Sequence, residues 1–194
     1  DRVVIRRTGD MSDISSSFVY PMTKMMSNPL FVDFPSPMFN SWLTGSLYTA
    51  DASAHVWKID GKEILYVYAS HDMEPSLGCD RMDRYHVFST EDMKTWTDHG
   101  EIMNAATVRK QAGWGSEGFM WAPDCAYNPE DQLYYFYFPH PENTQNWNRT
   151  WRIGVAVSRY PDKEFTVVGY VKGMMPFIDP CVFVDDDGQP YIYN

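Results

Sequence analysis

The chain has 194 residues, with 26 acidic against 16 basic side chains and a formal charge of −10 at pH 7. That balance excludes a nucleic-acid binder and a protein docked on anionic lipid, both of which need a basic face. No apolar run of about 18 residues is present to insert in a membrane.

With 44% hydrophobic and 22% charged residues, the composition supports a packed core. The aromatic share is 16%, which favours strands and supplies flat apolar faces of the kind that stack on sugar rings. The chain starts at Asp1 without a signal-peptide pattern. Cys79, Cys125 and Cys181 form no CxxC pair, so they indicate neither a zinc site nor a disulfide framework.

Residues 1–47 carry no sustained period and are punctuated by Ser15-Ser16-Ser17, Pro29, Pro35 and Pro37. They are expected to form an N-terminal extension or loop. From Asp51 the chain repeats itself. Asp51 to Trp57, a turn at Asp60-Gly61 and Ile64 to Tyr68 make the first pair of strands. Asp124 to Tyr127, a turn at Pro129–Asp131 and Leu133 to Tyr137 make the second. Asp179 to Val184, a turn at Asp185–Gly188 and Tyr191 to Tyr193 make the third. An Asp-Gly step between apolar runs signals a hairpin.

The second halves repeat as well. Ser89 is followed by Trp96 and Gly100, and Ser158 by Phe165 and Gly169, at identical offsets. Each unit therefore holds four antiparallel strands, and such units in tandem are the blades of a β-propeller. The expected boundaries are a blade over 48–103, a second over 121–171 and the start of a third over 178–194. Loops are expected at 73–84, 103–120 and 139–149. About two and a half blades would leave open sheet edges, so the chain is expected to be part of a longer protein whose further C-terminal blades close the ring.

One Asp opens the innermost strand of each unit: Asp51, Asp124 and Asp179. First strands line a propeller's axis, so these carboxylates can converge at one mouth. Converging carboxylates in an aromatic funnel suit glycoside hydrolysis, where one takes a proton from water and another protonates the leaving oxygen. Each Asp can equally cap a turn or bond a backbone N–H.

The runs Tyr48 to Trp57, Tyr66 to Asp72, Trp121-Ala-Pro-Asp124, Ile153 to Ser158 and Ile178 to Gly188 resemble glycoside hydrolase family 43, in the family's order. The resemblance covers about residues 48–194. It implies an all-β, five-bladed β-propeller and an inverting glycosidase that acts on plant-polysaccharide pentosides such as α-L-arabinofuranosides or β-xylosides. Asp51 then matches the general base, and Asp179 the carboxylate that orients the acid and raises its pKa. Asp124 falls to the pocket wall or a structural bond, and Trp121 to a stacking wall or the core. His71 and Asp72 would reach a sugar hydroxyl or pair structurally, and His55 shares the face of Asp51.

The family's usual Asp-Pro-Ser is Asp51-Ala52-Ser53 here, and its acid is a Glu from a later blade. No cofactor is required. A structural calcium of the kind some members hold in the channel would take its ligands from outside this chain. The expected partner is an oligo- or polysaccharide and the expected setting is periplasmic or extracellular. The alternative is a non-catalytic propeller that binds glycans or proteins.

Overall fold

The computed structural model describes residues 48–73, 82–173 and 178–194. The extension expected over 1–47 lies outside them. The first sheet has the order β1-β2-β3-β4, built from β1 (Tyr48–Ile59), β2 (Lys62–Asp72), β3 (Met82–Thr90) and β4 (Thr97–Asn104). The second has the order β5-β6-β7-β8, built from β5 (Asp124–Asn128), β6 (Leu133–Pro141), β7 (Trp151–Ser158) and β8 (Thr166–Tyr170). A two-stranded sheet of β9 (Cys181–Val184) and β10 (Pro190–Tyr193) follows. Every pairing is antiparallel. The described residues thus form two four-stranded blades and the first two strands of a third, with β5 neighbouring both β1 and β9.

Local sequence explains the joints. Asp60 and Gly61 have φ of 52° and 83°, the left-handed pair that a two-residue hairpin needs to match the twist of its strands. Gly100 and Gly169 also have positive φ, 81° and 149°. Each sits where the pairing of a third strand with its fourth shifts register, opposite Val87 and Val155 respectively. The repeated glycine is therefore a repeated β-bulge, which bends the outer strand of each blade.

The core lies between the two complete blades. Tyr68, Tyr85, Val87 and Met103 from the first pack with Phe136, Phe138, Ala156 and Phe165 from the second. Burial of each large apolar side chain here contributes about 2–3 kcal/mol. The Tyr68 hydroxyl, fully buried, donates to the Pro161 carbonyl at 2.8 Å and accepts from Trp57 Nε1 at 3.1 Å, so its polar end is satisfied. Phe138 lies over Gly154, where a Cβ would come within 2.3 Å of its ring.

The stretch expected as a loop over 103–120 instead begins with the end of β4 and a helix, α1 (Ala105–Ala112). Asn104 caps it by accepting from the Thr107 N–H, and Gly113 ends it at φ 74°. Ala, Arg, Lys and Gln favour the helix, and Val108 is its fully buried anchor. The helix fills the space between β4 and the outer strand β8.

Candidate active site

Asp51 stands in β1 at a break in register: Ala50 pairs with Ser70 and Ser53 with Tyr68, leaving Asp51 and Ala52 as the bulge. Its φ is 51°. Asp179, just before β9, has φ 55°. Left-handed backbone costs an L-residue roughly 1–2 kcal/mol, and Asp is among the residues that tolerate it. The effect is to turn each carboxylate out of the strand's alternation. Both side chains are exposed.

The charge of Asp51 reaches two other carboxylates. Asp72 is raised above its ordinary pKa, first by burial and then by the charge of Asp51. Asp179 is raised for the same two reasons in the same order. Asp51 therefore lies within electrostatic reach of both, as like charges sharing a site do. The fully buried Tyr85 hydroxyl, pushed up by burial and by Asp51, donates to the Trp121 carbonyl at 2.7 Å.

Asp179 lies on the wall of an open cleft of about 400 Å³ lined also by Trp121, Trp147, Asn148, Trp151, Ile178 and Asn194. Trp121 and Trp151 have ring centroids 4.3 Å apart, Phe119 stacks on Trp147 at 5.4 Å, and Trp147 is 40% exposed. The segment that carries Trp121 is anchored from below by His140. The backbone N–H of Ser116 donates to His140 Nε2 at 3.1 Å, which leaves Nδ1 to carry the proton toward the Phe119 carbonyl at 3.4 Å. Burial pulls His140 down to about 4, so it is a neutral fixture at pH 7. A smaller groove of about 260 Å³ between the second and third blades lies along Tyr127, Tyr135, Tyr137 and Val182, away from these carboxylates.

The other sequence candidates are held by protein partners. Asp124 is 5% exposed. Its Oδ1 accepts from the Ser53 hydroxyl at 2.6 Å, from His55 Nε2 at 2.6 Å and from the Cys125 N–H at 2.9 Å, and its Oδ2 accepts from the Val182 N–H at 2.5 Å. Burial pushes its pKa up, but the bonds from His55, Ser53 and Val182 outweigh that and hold it below the ordinary value. His55 also stacks on Trp57 at 5.0 Å. His71 pairs with Asp83 at 2.7 Å rather than with its neighbour Asp72. Asp83 would be raised by burial, yet its bonds from His71 and Arg84 bring it down to about 2.

The repeat points to Asp51, Asp124 and Asp179 together and to Asp72 only beside His71, whereas in the structure the charge of Asp51 reaches Asp72 and Asp179. Sequence reasoning missed Trp147, Trp151, Asp83 and His140. Two tryptophans four residues apart beside a predicted loop were an available signal for the aromatic wall. Nothing in the local sequence marks His140, whose role comes from a chain segment more than twenty residues away.

Two four-stranded antiparallel blades followed by the first strands of another define a β-propeller fold, here with carboxylates gathered beside an aromatic cleft. The family described as glycosyl hydrolases family 43 matches residues 49–194, and the chain belongs to that family. It is 41% identical over 161 residues to a xylosidase/arabinosidase 43A of Humicola insolens, covering 78% of this chain and 44% of that protein. Among solved structures it is similar to the RS223 β-xylosidase, with TM-score 0.61, 34% identity, and 76% of this chain and 43% of that one covered.

It is likewise similar to a family 43 β-xylosidase/α-arabinofuranosidase from a compost microbial metagenome, in complex with xylotriose in calcium-free form. There the TM-score is 0.59, the identity 37%, and the coverage 75% of this chain and 42% of that one. The chain spans less than half the length of these relatives. Among the described residues no group of three or more His, Cys, Asp or Glu side chains is arranged to hold a metal ion.

Proposed function

We propose that the protein is an inverting glycosidase acting on β-xylosides or α-L-arabinofuranosides of plant polysaccharides. Asp51 is the general base, Asp179 the carboxylate that modulates the acid, and the acid itself comes from sequence beyond these 194 residues. The observation that carries this is the placement of Asp179 in the tryptophan-walled cleft while it feels the charge of Asp51. Relatives with xylosidase and arabinosidase names, and a structural neighbour holding xylotriose, support the substrate class.

The chemistry follows from the groups. The exposed Asp51 carboxylate takes a proton from a water as the water oxygen bonds to the anomeric carbon. The bond to the leaving oxygen breaks on the opposite face, and that oxygen takes a proton from the acid. A negative Asp179 beside the acid holds that acid's proton until it is needed. The faces of Trp121 and Trp147 suit the C–H faces of a sugar ring. Action on a polymer too large to cross a membrane would suit a periplasmic or extracellular setting.

The test uses the full-length protein with an aryl β-xyloside and an aryl α-L-arabinofuranoside, reading the first-formed sugar by proton NMR. Release of one sugar with inverted anomeric configuration is expected. Retained configuration would overturn the mechanism. Binding of xylo-oligosaccharides without hydrolysis would make the protein a glycan binder instead.

A further inference from the structure

We infer that Asp124 is a positioning residue for the Asp51–Asp179 pair: one buried carboxylate that ties the strand carrying the base to the strand carrying its partner. The inference rests on the catalytic reading of that pair. Its grounds are geometric. Ser53 and His55, which grip Oδ1 at 2.6 Å each, follow Asp51 closely along β1. Val182, whose N–H meets Oδ2 at 2.5 Å, follows Asp179 just as closely into β9. Asp124 itself opens β5, the strand between them. A single carboxylate thus fastens three blades at the level where the two exposed carboxylates emerge.

The clip matters because both outer Asp residues are held in left-handed backbone, at φ 51° and 55°, which persists only where neighbours fix it. The relative placement of two groups on separate strands has to be kept within a fraction of an ångström. A misplacement of about 1 Å costs on the order of 100-fold in rate. Asp124 cannot serve a sugar at the same time. Its oxygens already accept four protein hydrogen bonds, three at Oδ1 and one at Oδ2, and the residue is only 5% exposed. The two oxygens also do different jobs: Oδ1 holds β1 and Oδ2 holds β9. An amide cannot replace them, because one of its two ends donates.

The test is Asp124→Asn in the full-length protein, with Ser53→Ala as the milder companion that keeps the carboxylate and its bond to β9. For Asp124→Asn we expect kcat to fall roughly 10-fold or more while KM stays within about 3-fold. The acidic limb of the kcat–pH profile should move to lower pH as Asp179 feels Asp51 less. Ser53→Ala should show the same signs with about a 3-fold loss, and it decides the matter if Asp124→Asn does not fold.

A parental kcat and pH profile in the folded variants would overturn the inference, leaving Asp124 as a stability element only. A large rise in KM at unchanged kcat would also overturn it, making Asp124 a substrate contact. Asp51→Asn, run in parallel, separates the two claims. If it keeps turnover, the catalytic reading fails. If it is inactive while the Asp124 and Ser53 variants behave like the parent, only the positioning role fails.

Discussion

The mouth of the cleft and the seam between the blades use the same residue type at the same phase of the repeat, to opposite ends. Asp51 and Asp179 stand exposed in left-handed backbone, and the charge of Asp51 raises Asp179. Asp124 is 5% exposed, carries four hydrogen bonds and is held below its ordinary pKa. A repeat places a residue, but its neighbours decide whether its charge is available for chemistry or spent on the fold. The seam stabilises the protein, while the mouth carries unneutralised negative charge that costs stability.

The largest effect expected from breaking this contrast is at Asp51. Asp51→Asn should lower kcat by about 10³-fold, a magnitude in keeping with loss of a general base, while the thermal unfolding midpoint stays at or above the parental value. Next comes Asp124→Ala, with the reverse signature in stability. It removes the bonds that join β1 and β9 through one carboxylate and leaves the Val182 N–H without its acceptor, while Ser53 and His55 keep each other, so chemical denaturation should show a loss of about 1–3 kcal/mol. Asp179→Asn should cost about 100-fold in kcat, and should raise the unfolding midpoint at neutral pH, read by calorimetry.

The sign of that last shift follows from linkage. A carboxylate raised in the folded state binds its proton more tightly folded than unfolded, so it draws stability away as pH rises through the unfolded value of 3.8 toward the folded one. Asp124 runs the other way. Its folded pKa is depressed, so its contribution is present above 3.8 and lost as pH falls below it. The acid-side loss of stability should therefore be shallower in Asp124→Ala than in the parent. Smallest of all, Trp147→Ala should raise KM by about 5- to 10-fold with little change in kcat, as expected when about 1 kcal/mol of stacking is removed from a wall that does not touch the reacting bond.

The blade pattern was legible because it rests on local signals. The Asp60-Gly61 turn, the alternating aromatic strands and the Gly100 and Gly169 offsets each act within a few residues. The helix Ala105–Ala112 is equally local, with an Asn cap and a Gly stop, but it lies in the extra length between the first two repeat units, which reads as loop. Repeat phase and motif single out Asp51, Asp124 and Asp179 as equivalent positions.

The division of labour among them was not legible, because nothing near Asp124 in sequence announces a bond to Ser53, 71 residues earlier, or to Val182, 58 residues later. The same holds for the pairing of His71 with Asp83 and for His140 beneath the Trp121 segment. These are contacts that only packing of one blade on another creates.

The central claim is that Asp51, and not Asp124, delivers the nucleophile to the anomeric carbon. Asp51→Gly in the full-length protein, given an activated aryl glycoside and azide, tests it directly. Azide in the space of the lost carboxylate should bond to the anomeric carbon as the aryl oxygen leaves, restoring turnover and giving a glycosyl azide of inverted configuration. Parental turnover of Asp51→Gly without azide, or azide rescue of Asp124→Gly instead, would contradict the account.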